Sequence, residues 1–384
     1  MPPPRTPPRT PPSAAPPASA LSSAEAAHRL GVRRATLYAY VSRGLLHAHR
    51  TPGGSLFDPA EVEALAARGR RRPVGTVETV HSELTSLDDD RLRYRGQDAV
   101  ALSRTHSFEA VARLLWTGTA TPGPFAGDPR LTAGVEAVLR GLPAGTRPAA
   151  RLRVAVAAAG ALLPAEGPSP EEAGPDPEPL LAAVLGRGGA VAAAVGDVLG
   201  TPGGWEPALV LLADHGLAVS TVAARVAASA RARLPAVLSA ALGAADGPLH
   251  AGAPAVAHRF LERVLHEGPA AALAPLAGRV PPGFGTVVHT RADPRAEELL
   301  DVVPAGEVAA ALPGLLVHVL RTHGAGAHPN VDLALAAHAL ARGLPPHAGE
   351  FVFVAARTAG WVAHALEEYR APALRYRVRG LHGT

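Results

Sequence analysis

The apolar residues of this chain are mostly small aliphatic ones in helix-length segments, which limits the folds open to it. Hydrophobic residues make up 47% of the 384 residues and aromatic residues only 4%, so Ala, Val and Leu supply most of the apolar mass. Such segments favour packed helices, because strands draw on β-branched and aromatic residues. They occur near residues 107–117, 151–163, 207–243, 253–265, 331–343 and 351–369. An all-α domain of many helices is therefore predicted.

Residue types that are absent exclude several kinds of chemistry. All 37 residues in the Lys and Arg total are Arg, so there is no P-loop lysine and no Schiff-base lysine. The chain has no Cys, which excludes thiol catalysis and Cys-bound zinc and favours a cytoplasmic location. No apolar run approaches the length of about 18 residues that a membrane span needs, so no membrane association is expected.

Positive charge is concentrated near the N-terminus. Residues 1–72 contain 11 Arg and 4 acidic residues, whereas residues 73–384 contain 26 Arg and 29 acidic residues. Residues 1–20 are rich in Pro and Ala and are predicted to form a disordered tail. The charge balance indicates a polyanionic partner for the N-terminal part alone.

Residues 21–68 carry the pattern of a small helical module. Ser22 and Glu25 form a capping-box pattern at the start of a first helix, and Gly31 ends that helix. A second helix is predicted to end at Gly44, followed by a hairpin with Gly53-Gly54 at its tip and a third helix from near Asp58. Two helices joined by a glycine-containing turn are typical of a helix-turn-helix.

The segments "AAHRLGV", "TLYAYVSRGLL" and "RTPGGSLFDPAEVEAL" resemble, in this order, winged helix-turn-helix domains of the MerR type and related excisionase-like domains. The resemblance implies that the second helix enters the major groove of double-stranded DNA. The implied base-reading residues are Arg33, Arg34, Thr36 and Tyr38, and the implied phosphate contacts are Arg43 and Arg50. The alternative is a small module that binds protein, with Arg on its solvated surface.

Two charged residues stand among apolar neighbours in the second domain. A helical Arg357 has Phe353, Val354, Gly360 and Trp361 around it, so its guanidinium needs an anionic partner. That partner is either an internal carboxylate or a carboxylate or phosphate of a substrate. Asp332 is predicted in the first turn of a helix capped by Asn330, where it is either a dipole-stabilising acid or a general base whose pKa is raised by burial.

Several histidines lie in loops or at helix ends. His250 lies in "DGPLHAGAP", where small residues allow a molecule to approach closely, although a lone loop histidine is more often an ordinary surface residue. His215 follows an apolar helix, and taken alone its role is core packing. His323 and His328 lie five residues apart, which is weak evidence for a metal, and no metal site is predicted.

Seven segments, taken in order, resemble citrate synthases: "ETVHSELTSLDDDRLRYRGQDA", "SFEAVARLLWTG", "DHGLAVSTVAARVAAS", "GPLHAGA", "GFGTVVHTRADPRA", "NVDLAL" and "ARTAGWVAHALEE". They span residues 76–384, after a linker at 69–75. The resemblance implies a mostly helical homodimer with a large and a small domain, the small one at roughly 253–343. It also implies condensation of acetyl-CoA, or a short acyl-CoA such as propionyl-CoA, with oxaloacetate, and no permanently bound cofactor.

The resemblance also assigns roles to individual residues. Asp332 matches the catalytic base, and His250 matches the donor to the enolate oxygen. The residues that match oxaloacetate ligands are His215, Arg295 and Arg357. The residues that match the loop bordering coenzyme A, the co-substrate, are Gly283, Phe284 and Gly285.

The sequence departs from the family at two positions. The family reads "GFGH", with a His that polarises the oxaloacetate carbonyl, and this chain has Thr286 there, with His289 three residues later. A Thr hydroxyl donates a hydrogen bond but is no general acid near neutral pH. Ala371 replaces a C-terminal Arg that reaches the partner subunit's substrate, with Arg370 one residue earlier.

Two functions remain open from the sequence. As an enzyme, the chain uses Asp332 and His250, with His289 or Arg370 shifted into the vacant roles and turnover impaired by Thr286. As a regulator, it binds DNA and uses a catalytically degenerate fold to sense an acyl-CoA or a dicarboxylate. The retained Asp and His favour the enzyme, whereas the helix-turn-helix and the missing His favour the regulator.

Overall fold

The computed structural model describes residues 20–30, 32, 34–42, 45–51, 54–70, 80–164, 175–186, 189–201, 203–286, 288–324 and 326–376. These residues divide into two compact units, residues 20–70 and residues 80–376. The tail predicted to be disordered lies outside the described residues apart from its last position. So do residues 71–75 of the predicted linker, whose first two residues end a helix.

The first unit is a winged helix-turn-helix. Its elements are β1 (Leu21–Ser22), α1 (Ser23–Leu30), α2 (Arg34–Ser42), β2 (Ala48–Thr51), β3 (Gly54–Phe57) and α3 (Pro59–Arg70). The strands form an antiparallel sheet in the order β1-β3-β2. The capping box is confirmed, because the Ser22 N–H donates to the Glu25 carboxylate at 2.8 Å and the Glu25 N–H donates to Ser22 Oγ at 3.3 Å.

The second unit is mostly helical, which confirms the predicted fold class. Its strands are β4 (Thr85–Asp88), β5 (Arg91–Tyr94) and β6 (Gln97–Asp98), and its α-helices are α4 (Ala99–Thr105), α5 (Phe108–Thr117), α6 (Pro129–Arg140), α7 (Pro148–Leu162), α8 (Glu178–Leu181), α9 (Val191–Leu199), α10 (Glu206–Leu212), α11 (Val219–Ser229), α12 (Leu234–Ala245), α13 (Ala253–Glu267), α14 (Pro269–Leu273), α15 (Pro294–Asp301), α16 (Glu307–His323), α17 (Val331–Ala341) and α18 (Ala348–Tyr369). The sheet β4-β5-β6 is antiparallel and was not predicted.

Helix α18 is the centre of the larger core. Apolar residues occur on every side of this helix, and 20 of its 22 residues are buried. It packs against α5, α7, α10, α11, α12, α13 and α17. Trp116 of α5 donates its indole N–H to the Ala359 carbonyl at 2.9 Å. Side chains on α18 therefore face several other elements at once.

A smaller second core lies between α13, α14, α16 and α17. Helix α17 contributes to both cores, because Leu333, Ala336 and Ala337 pack into the smaller one and Ala334 and Leu335 into the larger one. The first turn of α17, which carries Asp332, consequently lies where the two cores meet.

A buried chain of polar groups joins the end of α10 to the end of α18. Arg225 of α11 donates Nε–H to His364 Nδ1 at 2.9 Å and Nη1–H to Glu368 at 2.9 Å. Since Nδ1 of His364 accepts, the ring proton lies on Nε2, which is 3.3 Å from the Asp214 carboxylate. Arg375 donates to the other side of Glu368 at 2.7 Å. The loop after α10 is thus tied to α18.

One stretch of this unit, Glu178–Leu199, is long and apolar enough to cross a membrane by length and composition alone. It comprises α8, a π-helical turn at Ala182–Gly186, and α9. Of its apolar window, 69% is buried inside the protein. Core helices of soluble proteins pass the same test, so the stretch is weak evidence for a membrane.

The packing of α18 against the loop after α10 predicts the effect of one substitution. A Cβ added at Gly360 would lie 2.3 Å from Asp214 Oδ1 and 2.5 Å from the Ala213 carbonyl oxygen. Gly360→Ala is expected to lower the free energy of unfolding by about 1–3 kcal/mol, measured by chemical denaturation. Gly314→Ala in α16 is the matched control, because a Cβ there meets nothing within 4 Å. A Gly360→Ala protein as stable as the wild type would contradict this packing.

Candidate active site

The glycine loop and the start of α17 are paired. The Asn330 N–H donates to the Gly283 carbonyl at 2.9 Å, and its side-chain amide donates to the Gly285 carbonyl at 2.8 Å. Gly283 has φ +84°, and a Cβ there would lie 2.8 Å from Leu333 Cβ. Phe284 is buried in the smaller core. Glycine is therefore required for this loop to lie against α17.

Asp332 lies in the first turn of α17 with its carboxylate available. As predicted, Asn330 caps the helix, accepting from the Asp332 N–H at 3.0 Å. No group in the described part of the chain donates a hydrogen bond to the Asp332 carboxylate, which is half-buried. Burial raises the pKa of Asp332 to about 6, against the opposing positive charge of Arg295. A carboxylate with such a pKa is suited to accept a proton near neutral pH.

His250 is held by one ring nitrogen. Its Nε2 lies 2.8 Å from Ser220 Oγ, which also accepts the Trp361 indole N–H at 3.1 Å. The Ser220 hydroxyl can donate to Nε2, and the ring proton then lies on Nδ1. Burial and the nearby Arg357 lower the pKa of His250, so the ring is neutral near pH 7. A neutral imidazole with an available Nδ1–H can donate to an oxygen that gains charge.

The two buried arginines differ in their charge balance. Arg295 donates Nε–H and Nη2–H to the Asp293 carboxylate at 2.9 and 2.8 Å. Arg357 donates Nε–H to the Leu212 carbonyl at 2.8 Å and lies over the Phe353 ring, 4.7 Å from its centroid. Within the described residues no carboxylate pairs with Arg357. Burial lowers the pKa of Arg357 to about 10, although the negative charge of Asp214 opposes this shift, so the guanidinium stays charged near neutral pH.

His215 and His289 meet beside these arginines. Their Nε2 atoms are 3.0 Å apart, and their ring centroids are 5.1 Å apart. Burial and the charges of Arg295 and Arg357 hold the pKa of His215 well below its usual range. Burial also lowers the pKa of His289, while Asp293 opposes that shift. The structure therefore places His289, which lies three residues after the family position, against a predicted oxaloacetate ligand.

The two positions at which the sequence departs from the family lie elsewhere. Thr286 Oγ1 accepts the Val288 N–H at 3.1 Å and stabilises the turn of its own loop. Arg370 is exposed at the C-cap of α18, and the Ala371 carbonyl accepts from Arg231 at 2.7 Å. In the described part of the chain, neither Thr286 nor Arg370 forms a hydrogen bond or ion pair with His215.

Three residues that position the side chains of this site were not identified from the sequence. Asp293 caps α15 and pairs with Arg295, and Pro294 after it is a helix-start signal that could have indicated the cap. Ser220 supports His250 from the start of α11. Asp90, in the turn between β4 and β5, accepts the backbone N–H groups of Thr290 and Arg291, a contact between distant segments that no sequence pattern marks.

The candidate DNA-binding residues lie in the first unit. Arg34 begins α2, Thr36 is half-buried, and Tyr38 is 45% exposed with its hydroxyl 3.0 Å from Ser23 Oγ. Arg50 is exposed on β2, the first strand of the wing. Arg33 and Arg43 lie outside the described residues. In the part of the chain that the structure describes, no three His, Asp or Glu side chains form a metal-binding group.

The raised pKa of Asp332 predicts a pH-dependent effect on stability. With a folded pKa of about 6 and an unfolded one of 3.8, the protonated carboxyl is favoured on folding, and this contribution is lost as pH rises through 6. Asp332→Asn is expected to raise the free energy of unfolding near neutral pH by at most about 3 kcal/mol. Denaturation at several pH values should show the gain vanishing towards pH 3.8.

Asp197→Asn, at an exposed residue of α9, is the control for this measurement. Asp332→Asn that is no more stable than Asp197→Asn near neutral pH would contradict the burial of this carboxylate.

Comparison with known proteins matches both units. The family described as citrate synthase, C-terminal domain, matches residues 74–196 and 205–379. The family described as helix-turn-helix domain matches residues 20–70. The putative citrate synthase 2 of Mycobacterium tuberculosis is 36% identical over 171 residues, which are 42% of this chain and 46% of that protein. The 2-methylcitrate synthase 2 of Corynebacterium glutamicum is 30% identical over 174 residues, 43% of this chain and 45% of that protein.

Solved structures share the fold. Citrate synthase of Thermoplasma acidophilum, in its ternary complex with carboxymethyl coenzyme A and oxaloacetate, aligns with a TM-score of 0.64 and 20% identity over 83% of this chain and 96% of that one. Citrate synthase from Pyrobaculum aerophilum aligns with a TM-score of 0.62 and 21% identity over 88% of this chain and 94% of that one. The chain's matches span about half the length of its curated relatives. With its family match covering most of residues 74–379, the chain belongs to the citrate synthase family.

Proposed function

We propose that the second unit condenses a short acyl-CoA, such as acetyl-CoA or propionyl-CoA, with oxaloacetate to give citrate or methylcitrate and free CoA. The observation that carries the proposal is the placement of an available carboxylate of raised pKa, Asp332, near Arg295, in a buried region where Arg357 forms no ion pair with a described residue. Arg357 forms no ion pair with a carboxylate of the described residues, so its guanidinium can pair with a carboxylate of a bound dicarboxylate. Arg295 and Arg357 are proposed to bind its carboxylates, with His215 as a third ligand.

The chemistry assigns a step to each side chain. Asp332 removes a proton from the carbon next to the thioester carbonyl, and His250 stabilises the enolate oxygen by donating from Nδ1. The enolate carbon attacks the ketone carbon of oxaloacetate, and the ketone oxygen takes up a proton to become a hydroxyl. Water then cleaves the thioester, so one water is consumed and one CoA thiol is released.

Coenzyme A is proposed as a co-substrate, with no permanently bound cofactor. Gly283, Phe284 and Gly285 border its proposed position. The support is that a structural neighbour is a complex with a coenzyme A analogue and oxaloacetate, and that relatives are named as both citrate and 2-methylcitrate synthases.

We further propose a cytoplasmic homodimer. Along α11, Val219, Val222 and Val226 are 71%, 39% and 45% exposed, and their spacing places them on one face. Leu217, just before the helix, is 43% exposed. An exposed apolar stripe of this kind is typical of a subunit interface, and a second copy of the chain is the proposed occupant.

The proposed reaction predicts release of free CoA. Because the chain has no Cys, a thiol reagent reports only the released CoA and not the protein. Wild-type protein with acetyl-CoA or propionyl-CoA and oxaloacetate is expected to release CoA, and Asp332→Ala and His250→Ala are each expected to lower kcat by about 10²-fold or more. Since the base must be ionised, kcat should fall as pH drops through about 6.

His266→Ala, at an exposed histidine of α13, is the control for this assay. Wild-type protein that releases no more CoA than the Asp332→Ala protein would overturn the catalytic proposal.

A second candidate function is regulation through DNA, favoured by the helix-turn-helix in residues 20–70 and by the excess of Arg near the N-terminus. We propose that the first unit binds double-stranded DNA, with Arg50 of the wing at a phosphate and α2 in the major groove. A homodimer would present two copies of α2 to symmetric half-sites. The second unit would then report the presence of an acyl-CoA or a dicarboxylate.

Phosphate contacts predict a salt-dependent affinity for DNA. Binding of a mixed-sequence duplex, followed by fluorescence anisotropy, is expected to weaken steeply with salt, and Arg50→Gln should reduce the slope of log K against log salt by about 1. Arg130→Gln, at an exposed arginine of α6 in the other unit, is the charge-matched control. Equal slopes for these two variants would contradict the wing contact, and no binding at low salt would leave a protein-binding module instead.

A further inference from the structure

His289 is buried against His215 and Asp293 of the candidate site, although its sequence position gives it no role in the family pattern. It is 1% exposed. Its Nε2 lies 3.0 Å from His215 Nε2 and 3.6 Å from Asp293 Oδ1. Its Nδ1 is buried with no hydrogen-bond partner among the described residues, and lies 3.8 Å from Asp90 Oδ1. A buried polar atom without a partner is costly, so this ring needs an explanation.

Charged groups face this ring from several elements. Asp90 lies in the β4–β5 turn, Asp293 and Arg295 lie at the start of α15, and His215 follows α10. His328, before α17, is 5% exposed, and its charge would lower the pKa of His289. Neither ring nitrogen of His328 has a hydrogen-bond partner among the described residues. The Nε2 atom of His289 faces His215 and Asp293, whereas Nδ1 faces Asp90.

We propose that His289 donates a hydrogen bond from Nε2 to the ketone oxygen of the bound 2-oxo dicarboxylate, and that Asp90 positions the ring through Nδ1. This inference rests on the proposed function. It gives the role of the family's loop histidine to a residue three positions further along the chain. Thr286 then serves the loop turn, where its hydroxyl accepts the Val288 N–H.

The protons balance in this scheme. With Nδ1–H facing Asp90, donation from Nε2 requires the imidazolium. Burial and the charge of Arg295 lower the pKa of His289 and oppose this form, whereas Asp293, Asp90 and the negative charge of a bound dicarboxylate favour it. As the carbon–carbon bond forms, the electron pair of the ketone moves to its oxygen, and the oxygen takes the Nε2 proton. His289 returns to the neutral Nδ1–H form and regains a proton from water, while Asp332 loses to water the proton that it removed.

Asp90 is a positioning residue, because it contacts the histidine loop and not the reacting atoms. Its carboxylate accepts the Thr290 N–H at 2.7 Å and the Arg291 N–H at 2.8 Å. It thereby fixes the backbone on the C-terminal side of His289. Asp89, its neighbour in the same turn, has a side chain that is 91% exposed and serves as the matched control.

The test measures polarisation of the ketone directly. The probe is oxaloacetate labelled with ¹³C at the ketone carbon, bound to the whole protein, and a hydrogen bond to the oxygen moves the carbonyl resonance downfield. The shift is expected in wild-type protein, reduced in His289→Gln, whose amide can still donate, and lost in His289→Ala. For CoA release, His289→Ala should lower kcat by about 10²–10³-fold, with a smaller change in the KM for oxaloacetate.

The remaining variants separate the alternatives. Asp90→Asn should lower kcat and reduce the carbonyl shift, whereas Asp89→Asn should leave both near wild type. Thr286→Val should lose less activity than His289→Ala, and melting temperatures identify any variant that has failed to fold. A carbonyl shift kept in His289→Ala but lost in Thr286→Val overturns the inference, and so does wild-type protein that binds oxaloacetate with an unshifted carbonyl. If wild-type protein with an unshifted carbonyl still releases CoA, the proposed function stands and only the role of His289 is rejected. If wild-type protein does not bind oxaloacetate, both the proposed function and the role of His289 are rejected.

Discussion

Burial of α18 on every side is the constraint on which the site depends. A helix with 20 of 22 residues buried can carry a charged side chain only where a partner reaches it. His364 and Glu368 meet this condition through Arg225, which donates to both. Arg357, on the same helix, meets it only in part, since its Nε binds a carbonyl and no carboxylate among the described residues pairs with it. Within the described residues, Arg357 is therefore stabilised by a carbonyl and by the charge of Asp214, without a direct ion pair.

The polar chain on α18 also sets the geometry around that charge. The carboxylate of Asp214 accepts from Thr85 and Gly216 and lies against His364, which fixes the loop that carries His215. Burial alone would raise the pKa of Asp214, but His364 and Arg357 keep it well below its usual range, so the carboxylate stays charged. The loop is thus positioned by contacts within the protein, so the proposed site is ordered before any substrate binds.

The sequence predicts those structural features that follow from a periodic pattern of residues or from a short local motif. Helices, the Asn330 cap and the capping box at Ser22 follow from periodicity and short-range hydrogen bonding. The sheet β4-β5-β6 was missed because its strands have four residues or fewer, too short for a period of two to register. The contact of Asp90 with the 290–291 backbone joins residues 200 positions apart, and only the packed fold brings them together. Likewise, the spacing to Asp293 places Thr286 at the position of the family's loop histidine. In the structure, however, it is His289 whose ring lies against His215 and Asp293.

The energetic cost of Asp332 bears on whether this site only binds a molecule or also transforms it. A sensor of dicarboxylates needs the positive charge of Arg295 and Arg357, and nothing in binding requires a half-buried carboxylate nearby, which repels an anion. At a helix N-terminus, an exposed Asp would have a lowered pKa and would stabilise the fold. Here burial instead raises the pKa of Asp332 to about 6, so near neutral pH the charged form weakens the folded state. The proposed removal of a proton from the acyl-CoA accounts for this cost, because that step needs a base of such a pKa. The placement of this one carboxylate therefore favours chemistry over sensing.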